Sequence, residues 1–194
     1  MRFILFLLLS LSIALGLGAA SARWALEQSA EIGTVRVGAW HADPLIGSVE
    51  ADPYAKARLA RTGNLTLGIG EGIVFRAETD SDGRRLRRTC RYRLEGALPV
   101  AQVWSLVPYA ADGRLLQPGE GRPGWLLSDS LLRDESNGFT IQLGPRAAPG
   151  NWLALGGTGD FLLALTLYDT PASASSGLSD LTLPRIVRTD CLDA

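Results

Sequence analysis

Hydrophobic and polar positions divide the chain into one long apolar run and a series of short alternating segments. Residues 3–22 carry no charged side chain, and this length of about 20 residues is enough to cross a lipid bilayer as a helix. After residue 70, several short segments alternate between apolar and polar positions with the period of two that is typical of β-strands. The apolar positions of the first two segments are Ile73, Phe75 and Ala77, and then Leu86, Cys90, Tyr92 and Leu94.

Three turn signals separate the alternating segments and indicate how the strands are joined. Asp82-Gly83, Asp112-Gly113 and Asn137-Gly138 are typical two-residue hairpin turns. Residues 139–143 alternate after the third turn, and residues 161–168 are apolar on both faces, which predicts a central strand. About eight antiparallel strands bury their apolar faces best as two packed sheets. The sequence therefore predicts an all-β fold, an antiparallel β-sandwich or jelly roll, over residues 34–194.

The ends of the predicted sandwich and one helix are also indicated. The first strand is expected at residues 34–39 and the last near Ile186, after a surface loop at 170–180. One short helix is predicted from about residue 53 to 62. Asp52 can cap it, Pro53 suits its first position, Arg58 and Arg61 favour its last turn, and Gly63 can end it.

The N-terminal segment, residues 1–22, has two interpretations. Arg2, the apolar run and Ala20-Ser21-Ala22 are typical of a cleaved secretory signal. The full spanning length, followed by Arg23 and Trp24 at the interface, favours an uncleaved membrane anchor with a polar stalk at 23–33. Because Arg2 stays on the cytoplasmic side, both interpretations predict that residues 23–194 are exported. We expect an inner-membrane protein with its domain on the periplasmic side, or else a cleaved, soluble periplasmic one.

Composition and charge narrow the classes of function. The chain has 194 residues, 46% hydrophobic, with 19 basic and 20 acidic side chains, which fits one globular domain and no nucleic-acid partner. One histidine and two cysteines are too few for a structural zinc or haem site, and we expect no metal and no cofactor. In an oxidising compartment Cys90 and Cys191 are expected to form a disulfide, the alternative being two buried free thiols.

Six arginines within ten residues, Arg84, Arg85, Arg87, Arg88, Arg91 and Arg93, indicate either an anion-binding groove or a solvated strand. If Asp82-Gly83 are the two central turn residues, facing positions sum to 165. Asp80 then faces Arg85, and Glu78 faces Arg87, as structural charge pairs. The same register puts Phe75 opposite Cys90 and Ile73 opposite Tyr92. Arg76 and Arg91, without an opposing acid, remain as a candidate anion site on the outer face.

The other candidate functional residues are aromatic or acidic. Trp104 is expected in the core. Trp40, Trp125 and Trp152 lie near predicted loops, where they either pack as core or loop-anchoring aromatics, which we favour, or stack on a sugar ring or partner protein. His41 could be combined with Ser105 and Asp43 as a triad, but no motif brings them together, and we assign no catalytic residue. A glycosidase that needs only two carboxylates has no sequence signature.

Several separate segments resemble one bacterial family, the domain of unknown function 1214. The resemblance spans residues 37–191 and implies a β-rich domain without an established activity or known catalytic residues. In some members the domain follows a domain of unknown function 1254, which is absent here. The segments that carry it are Gly38-Ala39-Trp40, Asp52-Pro53-Tyr54-Ala55-Lys56-Ala57-Arg58, Cys90-Arg91-Tyr92-Arg93-Leu94-Glu95-Gly96, Trp104-Ser105-Leu106, Gly150-Asn151-Trp152-Leu153 and Leu167-Tyr168-Asp169.

These observations predict an exported, membrane-tethered β-sandwich that serves the bacterial cell envelope as a binding or structural module. The expected partners are the membrane, through the N-terminal helix, and a glycan or an envelope protein. Two alternatives stay open: a carboxylate-dependent hydrolase that acts on envelope glycans, and a subunit of an envelope protein complex. Ligand-dependent thermal stabilisation would favour the binding module over the complex subunit.

Overall fold

The computed structural model describes residues 2–28, 33–62, 66–68, 70–135, 137–173 and 181–191. It contains two helices and ten strands among these residues. The helices are α1 (Arg2–Gln28) and α2 (Pro53–Thr62). The strands are β1 (Val35–Val37), β2 (Trp40–Ala42), β3 (Gly72–Ala77), β4 (Cys90–Glu95), β5 (Val103–Ala110), β6 (Leu126–Leu127), β7 (Thr140–Gly144), β8 (Asn151–Ala154), β9 (Phe161–Tyr168) and β10 (Arg185–Cys191).

The strands form two sheets. The large sheet has the order β1-β2-β3-β9-β5-β6, and the small sheet has the order β10-β4-β7-β8. Neighbouring strands are antiparallel except β7 and β8, which pair in parallel. The prediction of a mostly β fold with an N-terminal apolar helix and one short helix is confirmed, and β9 is central in its sheet as its two apolar faces indicated.

The inner faces of both sheets share one hydrophobic core, because alternation along each strand turns every second side chain inward. Burying such a side chain fully contributes about 1.5–3 kcal/mol. The apolar set predicted for the first two alternating segments is buried, as is the predicted core residue Trp104. The largest fully buried side chains include Phe75, Leu106 and Leu163 of the large sheet and Tyr92, Leu94 and Ile141 of the small sheet.

Helix α2 has the predicted bounds and cap. The Asp52 carboxylate accepts the backbone N–H groups of Tyr54 at 2.9 Å and Ala55 at 3.2 Å, which satisfies two donors of the first turn. Gly63, the predicted end of this helix, lies outside the described residues. Helix α1 extends to Gln28, so the first part of the predicted stalk is helical.

The predicted register at Asp82-Gly83 is wrong by one position. The backbone N–H of Asp80 donates to the Arg84 carbonyl at 2.8 Å, and Thr79 pairs with Arg85, so facing positions sum to 164. The loop has three residues, 81–83, with Gly83 in the left-handed region, a common alternative to the two-residue turn. The turn at Asp112-Gly113 has the same hydrogen bonds. The backbone N–H of Ala110 donates to the Arg114 carbonyl, and the Ala110 carbonyl accepts the N–H of Gly113.

The expected partners across the first turn are also wrong, for a reason of topology. Strands β3 and β4 belong to different sheets, so the pairing ends within a few residues of the turn. Phe75 therefore pairs with β9, and Cys90 with β10, instead of with each other. Arg76 and Arg91 lie on different sheets and do not form one site.

Asp80 does not face Arg85 as an exposed ion pair but is a buried carboxylate that joins the first turn to β10. One oxygen, Oδ2, lies 3.0 Å from Arg84 Nε and 3.1 Å from Arg188 Nε. The contact with Arg188 Nε is an ion pair without hydrogen-bond geometry. The other oxygen accepts the backbone N–H groups of Asp82 and Arg84. Arg188 also donates to the carbonyl of Arg85.

The hairpin predicted at Asn137-Gly138 is absent, because the strands on its two sides, β6 and β7, lie in different sheets. The segment is a turn held by Asp134: its backbone N–H donates to the Gly138 carbonyl at 2.9 Å, and its carboxylate accepts the Gly138 N–H at 2.7 Å. In the predicted loop at 170–180, the described part contains a short 3-10 turn, Pro171–Ser173, and the rest lies outside the described residues.

The predicted disulfide is confirmed. Cys90, the first residue of β4, is bonded to Cys191, its cross-strand partner at the end of β10. The bond closes a loop with a sequence separation of 101 residues. It fastens the C-terminal edge strand of the small sheet beside the Asp80–Arg188 contact.

Candidate functional site

An open cleft of about 750 Å³ lies at the end of the sandwich where β5 ends and β9 begins, and we call it the end cleft. Four charged side chains line it: Arg88, Asp112, Arg114 and Asp160. Asp112 and Arg114 come from the turn after β5, and Asp160 immediately precedes β9. Arg88 enters from the segment before β4, which hydrogen bonds to the start of β9.

Asp112 and Arg114 neutralise each other. The Arg114 guanidinium contacts Asp112 Oδ2 through Nη2 at 2.7 Å and through Nε at 2.8 Å. The backbone N–H of Arg114 donates to the same carboxylate, and this hydrogen bond is the main reason that the pKa of Asp112 lies below its ordinary value. Asp112 therefore stays ionised at neutral pH, and its charge is already matched.

Arg88 is half-buried and lies on a bed of glycine backbone. Its backbone N–H donates to the Gly159 carbonyl at 2.9 Å, and Nη1 donates to the Gly156 carbonyl at 3.3 Å. A Cβ on Gly157 or on Gly159 would come within 3.2 Å of a terminal guanidinium nitrogen. Both glycines have a positive φ, so their conformation and missing side chains let the chain pass close to the guanidinium.

Arg88 and Asp160 have no charge partner in the part of the chain that the structure describes. Arg88 Nε is closed off from solvent and has no hydrogen-bond partner in the same part of the chain. The end cleft therefore offers one uncompensated guanidinium and one uncompensated carboxylate.

The predicted ligand residues do not form one surface. Trp40 is a core residue and not a ligand surface: it is 1% exposed, and its Nε1 donates to the Pro184 carbonyl at 2.8 Å. Trp125 is exposed next to β6. Arg76 lies on the large sheet opposite His41.

Arg91 and Trp152 are brought to the same outer face of the small sheet, on either side of Gly144. A Cβ on Gly144 would lie 3.1 Å from Arg91 Cγ, and Trp152 Nε1 donates to the Gly144 carbonyl at 3.2 Å. The Nε of Arg91 is buried and has no partner among the described residues. These two residues form a separate cationic and aromatic surface, because neither of them lines the end cleft.

The triad that could be drawn from the sequence does not assemble. His41 is in β2 and Ser105 in β5, and β3 and β9 separate these strands in the sheet. At about 4.8 Å per strand, three steps place them about 14 Å apart. In the described part of the chain, no group of three His, Cys, Asp or Glu side chains is arranged to hold a metal ion.

Sequence reasoning missed Asp160 and did not separate Arg88 from the other arginines. Residues 156, 157 and 159 are glycines, and such spacing is a signal that backbone passes close to another group. The partner of that backbone is 68 residues away from Gly156 in sequence, and only the tertiary structure identifies it as Arg88.

The fold and the cleft define a two-sheet, mostly β domain that carries an apolar N-terminal helix and a charged pocket at one end. The chain belongs to the family of proteins of unknown function DUF1214, whose model matches residues 71–172, more than half of the chain. No curated protein matches the chain.

The solved structures that are similar to the chain include the following two. The VPA0106 protein from Vibrio parahaemolyticus has a TM-score of 0.58 and 20% sequence identity, and the match covers 72% of this chain and 36% of that one. A putative uncharacterized protein from Burkholderia cenocepacia has a TM-score of 0.41 and 18% identity, over 94% of this chain and 52% of that one. The chain thus spans about a third and about a half of their lengths, and the Vibrio likeness shows a shared fold.

Proposed function

We propose that the chain is a membrane-tethered binding module of the bacterial cell envelope, with its β-sandwich at the periplasmic face of the inner membrane. The observation that carries this proposal is the exposure of α1. Residues Arg2–Leu26 are long and apolar enough to cross a membrane, and none of the apolar span is buried against the sandwich. Such a surface needs an apolar environment outside the folded domain.

The disulfide supports the periplasmic side of the membrane. Disulfides persist in oxidising compartments and are rare in the bacterial cytosol. The disulfide between Cys90 and Cys191 joins β4 and β10, which are neighbouring strands of the small sheet. The positive charge of Arg2 before the apolar run favours the same orientation.

A binding role is supported by the end cleft. An open cavity of about 750 Å³ with an unmatched guanidinium and an unmatched carboxylate is suited to a polar small molecule. The separation of His41 from Ser105 and the pairing of Asp112 with Arg114 support a binding role over a catalytic one.

Fractionation of cells that express the full chain tests the tether. We expect the protein to remain in the inner-membrane fraction after a high-salt wash, with an intact N-terminus by mass spectrometry. Leu15→Arg should weaken retention, because a charge near the centre of a spanning helix costs about 3 kcal/mol, whereas Leu15→Phe should not. A chain that begins at Arg23 and fractionates with soluble periplasmic proteins would contradict the tether.

The second candidate function is a carboxylate-dependent hydrolase, because Asp112 and Asp160 line the same cleft. Glycoside hydrolysis needs one carboxyl group that stays protonated, whereas the pKa of Asp112 is lowered by the Arg114 N–H. Assays on envelope glycans with the full chain and with Asp160→Asn test this function. Turnover that Asp160→Asn abolishes, without a loss of folding, would replace the binding module as our conclusion.

A further inference from the structure

The charge balance of the end cleft restricts what it can bind. Asp112 and Arg114 form an exposed ion pair with each other, which leaves Arg88 and Asp160 as the two lining charges without an ion-pair partner among the described residues. The cleft is therefore close to neutral overall but locally positive at one point and locally negative at another. A ligand with only one charge matches one of these points and leaves the other uncompensated.

The Arg88 guanidinium is arranged to receive an oxyanion. Of its five N–H donors, one on Nη1 reaches the Gly156 carbonyl and the one on Nε is closed off from solvent, so the other Nη donors are the ones that a ligand in the cleft can contact. The glycine bed of residues 157 and 159 fixes the plane of the group without covering it with side chains. A planar guanidinium held in this way suits phosphate, sulfonate or carboxylate oxygens.

The Asp160 carboxylate provides the opposite charge at the same cavity. Asp160 is half-buried immediately before β9, and its backbone is fixed by a bridge to Arg87. The part of the chain that the structure describes gives its side chain no hydrogen-bond or ion-pair partner. A single carboxylate of this kind suits an ammonium group of a ligand, which donates charge-assisted hydrogen bonds to its oxygens.

We propose that the end cleft binds a small zwitterion, a molecule with a primary ammonium group and an oxyanion, which contact Asp160 and Arg88 respectively. The inference rests on the proposed binding function and names a ligand class for it. Free metabolites and the head group of an ethanolamine phospholipid both have this chemistry. A tethered domain could meet either of them.

Calorimetric titration of the full chain in detergent, with four probes, tests the pairing of charges. Ethanolamine phosphate and 4-aminobutanoate carry both groups, whereas methyl phosphate and ethylammonium carry one each. We expect at least one zwitterion to bind with a Kd at least tenfold lower than either single-charge probe. Equal affinity for methyl phosphate and ethanolamine phosphate would overturn the zwitterion and leave a simple anion site. Absence of binding by all four would also overturn it.

Variants assign the two contacts. Arg88→Met and Asp160→Asn should each weaken zwitterion binding at least tenfold, whereas Asp160→Asn should not weaken the binding of methyl phosphate, because it removes a like charge from the cleft. The matched controls are Arg122→Met and Asp129→Asn, which alter exposed residues outside the cleft. If Arg88→Met does not fold, Arg88→Lys replaces it. This variant keeps the positive charge but loses the paired N–H donors of the guanidinium, and we expect its affinity for the zwitterion to be intermediate. Unchanged binding in Asp160→Asn would contradict the assignment.

Nanodiscs distinguish the two sources of the zwitterion. If the ligand is the lipid head group, discs with phosphatidylethanolamine should abolish the titration heat of free ethanolamine phosphate, and discs with phosphatidylglycerol should not. If it is a free metabolite, the heat is the same in both. If the zwitterions do not bind but envelope glycans stabilise the chain, this inference is overturned and the proposed binding function is retained. If the zwitterions bind but the chain is released from membranes, the proposed tether is overturned and this inference is retained.

Discussion

Asp80 is 1% exposed, and its carboxylate has two arginine neighbours of unequal exposure, Arg84 on the surface and Arg188 largely enclosed. It also accepts two backbone N–H groups of its own turn. A buried charge that loses its partner costs more than an exposed pair contributes. Asp80 is therefore expected to matter for folding far more than its neighbour Asp82, although both contact Arg84.

Asp80→Asn should lower the free energy of unfolding by about 3 kcal/mol, because it leaves the Arg188 guanidinium without its counter-charge. Asp82→Asn is the matched control, and its exposed pair with Arg84 should contribute less than about 1 kcal/mol. Urea unfolding of both variants in the same detergent measures the difference. Equal unfolding midpoints would show that the buried pair is not important for stability.

His41 is the sole histidine of the sequence, and its pKa lies below the ordinary value of about 6.5. Burial is the main cause, opposed first by Glu78, while Arg76 and Arg36 lower the pKa further and Asp43 raises it. The unfolded chain therefore binds a proton at a higher pH than the folded one. Folding stability should fall as the pH drops below about 6.5, towards the lower pKa of the folded state.

Unfolding free energies at several pH values between 7.5 and 5 (roughly the window around the ordinary histidine pKa) test this dependence. His41→Gln should remove the slope in that window, because its side chain does not titrate. NMR of the single imidazole gives the folded-state pKa directly. A midpoint above 6.5, or an unchanged slope in His41→Gln, would contradict the account.

Single residues could be predicted from sequence where local chemistry decides their role. The Asp52 cap and the inward side chains of β3 and β4 follow from capping preference and alternation, and both are confirmed. The buried positions of Trp40 and Asp80 could not be predicted from local sequence, because their side chains bond to Pro184 and Arg188, more than 100 residues away. Proximity to a loop in sequence did not indicate exposure.

At the level of elements, the disulfide links the two ends of a long closed loop. Cys90 begins β4 and Cys191 ends β10, the edge strand of the small sheet. In the chain-entropy model a crosslink across about 100 residues restricts the unfolded chain and stabilises the fold by roughly 4–5 kcal/mol as an upper figure. Loss of the bond should therefore affect the whole domain.

The double variant Cys90→Ser with Cys191→Ser should unfold at a clearly lower urea concentration than the parent chain, by up to that amount of free energy. Added reductant should destabilise the parent chain and leave the double variant unchanged, which serves as the control. Parent and variant with the same midpoint would mean that the disulfide does not contribute to stability.

The turns show which features of an element the sequence determines. Asp82-Gly83 and Asp112-Gly113 are turns, but each loop has three residues with glycine in the left-handed region, so the register moves by one. The buried side chains predicted for β3 and β4 are correct despite this shift in register, because the alternation of buried positions within each strand does not depend on the turn. Two-residue and three-residue loops share the same Asx-Gly signal, and local sequence does not distinguish them.

At the level of the whole molecule, two packed sheets follow from the number of amphipathic strands, but the distribution of strands between them does not. Strands β3 and β4 are joined by a tight turn and still belong to different sheets, and β7 pairs with β8 in parallel. These pairings depend on contacts between distant segments. The end cleft forms where such segments meet, so it could not be predicted from sequence.

The central claim is that a disulfide-bonded β-sandwich works outside the cytoplasm, and non-reducing peptide mapping of the full chain from washed membranes tests it most directly. The chain should be alkylated before lysis is complete, so that thiols cannot oxidise afterwards. We predict a crosslinked peptide pair that contains Cys90 and Cys191, with little alkylation at either cysteine. Two fully alkylated cysteines in the membrane-derived protein would contradict both the bond and the oxidising compartment.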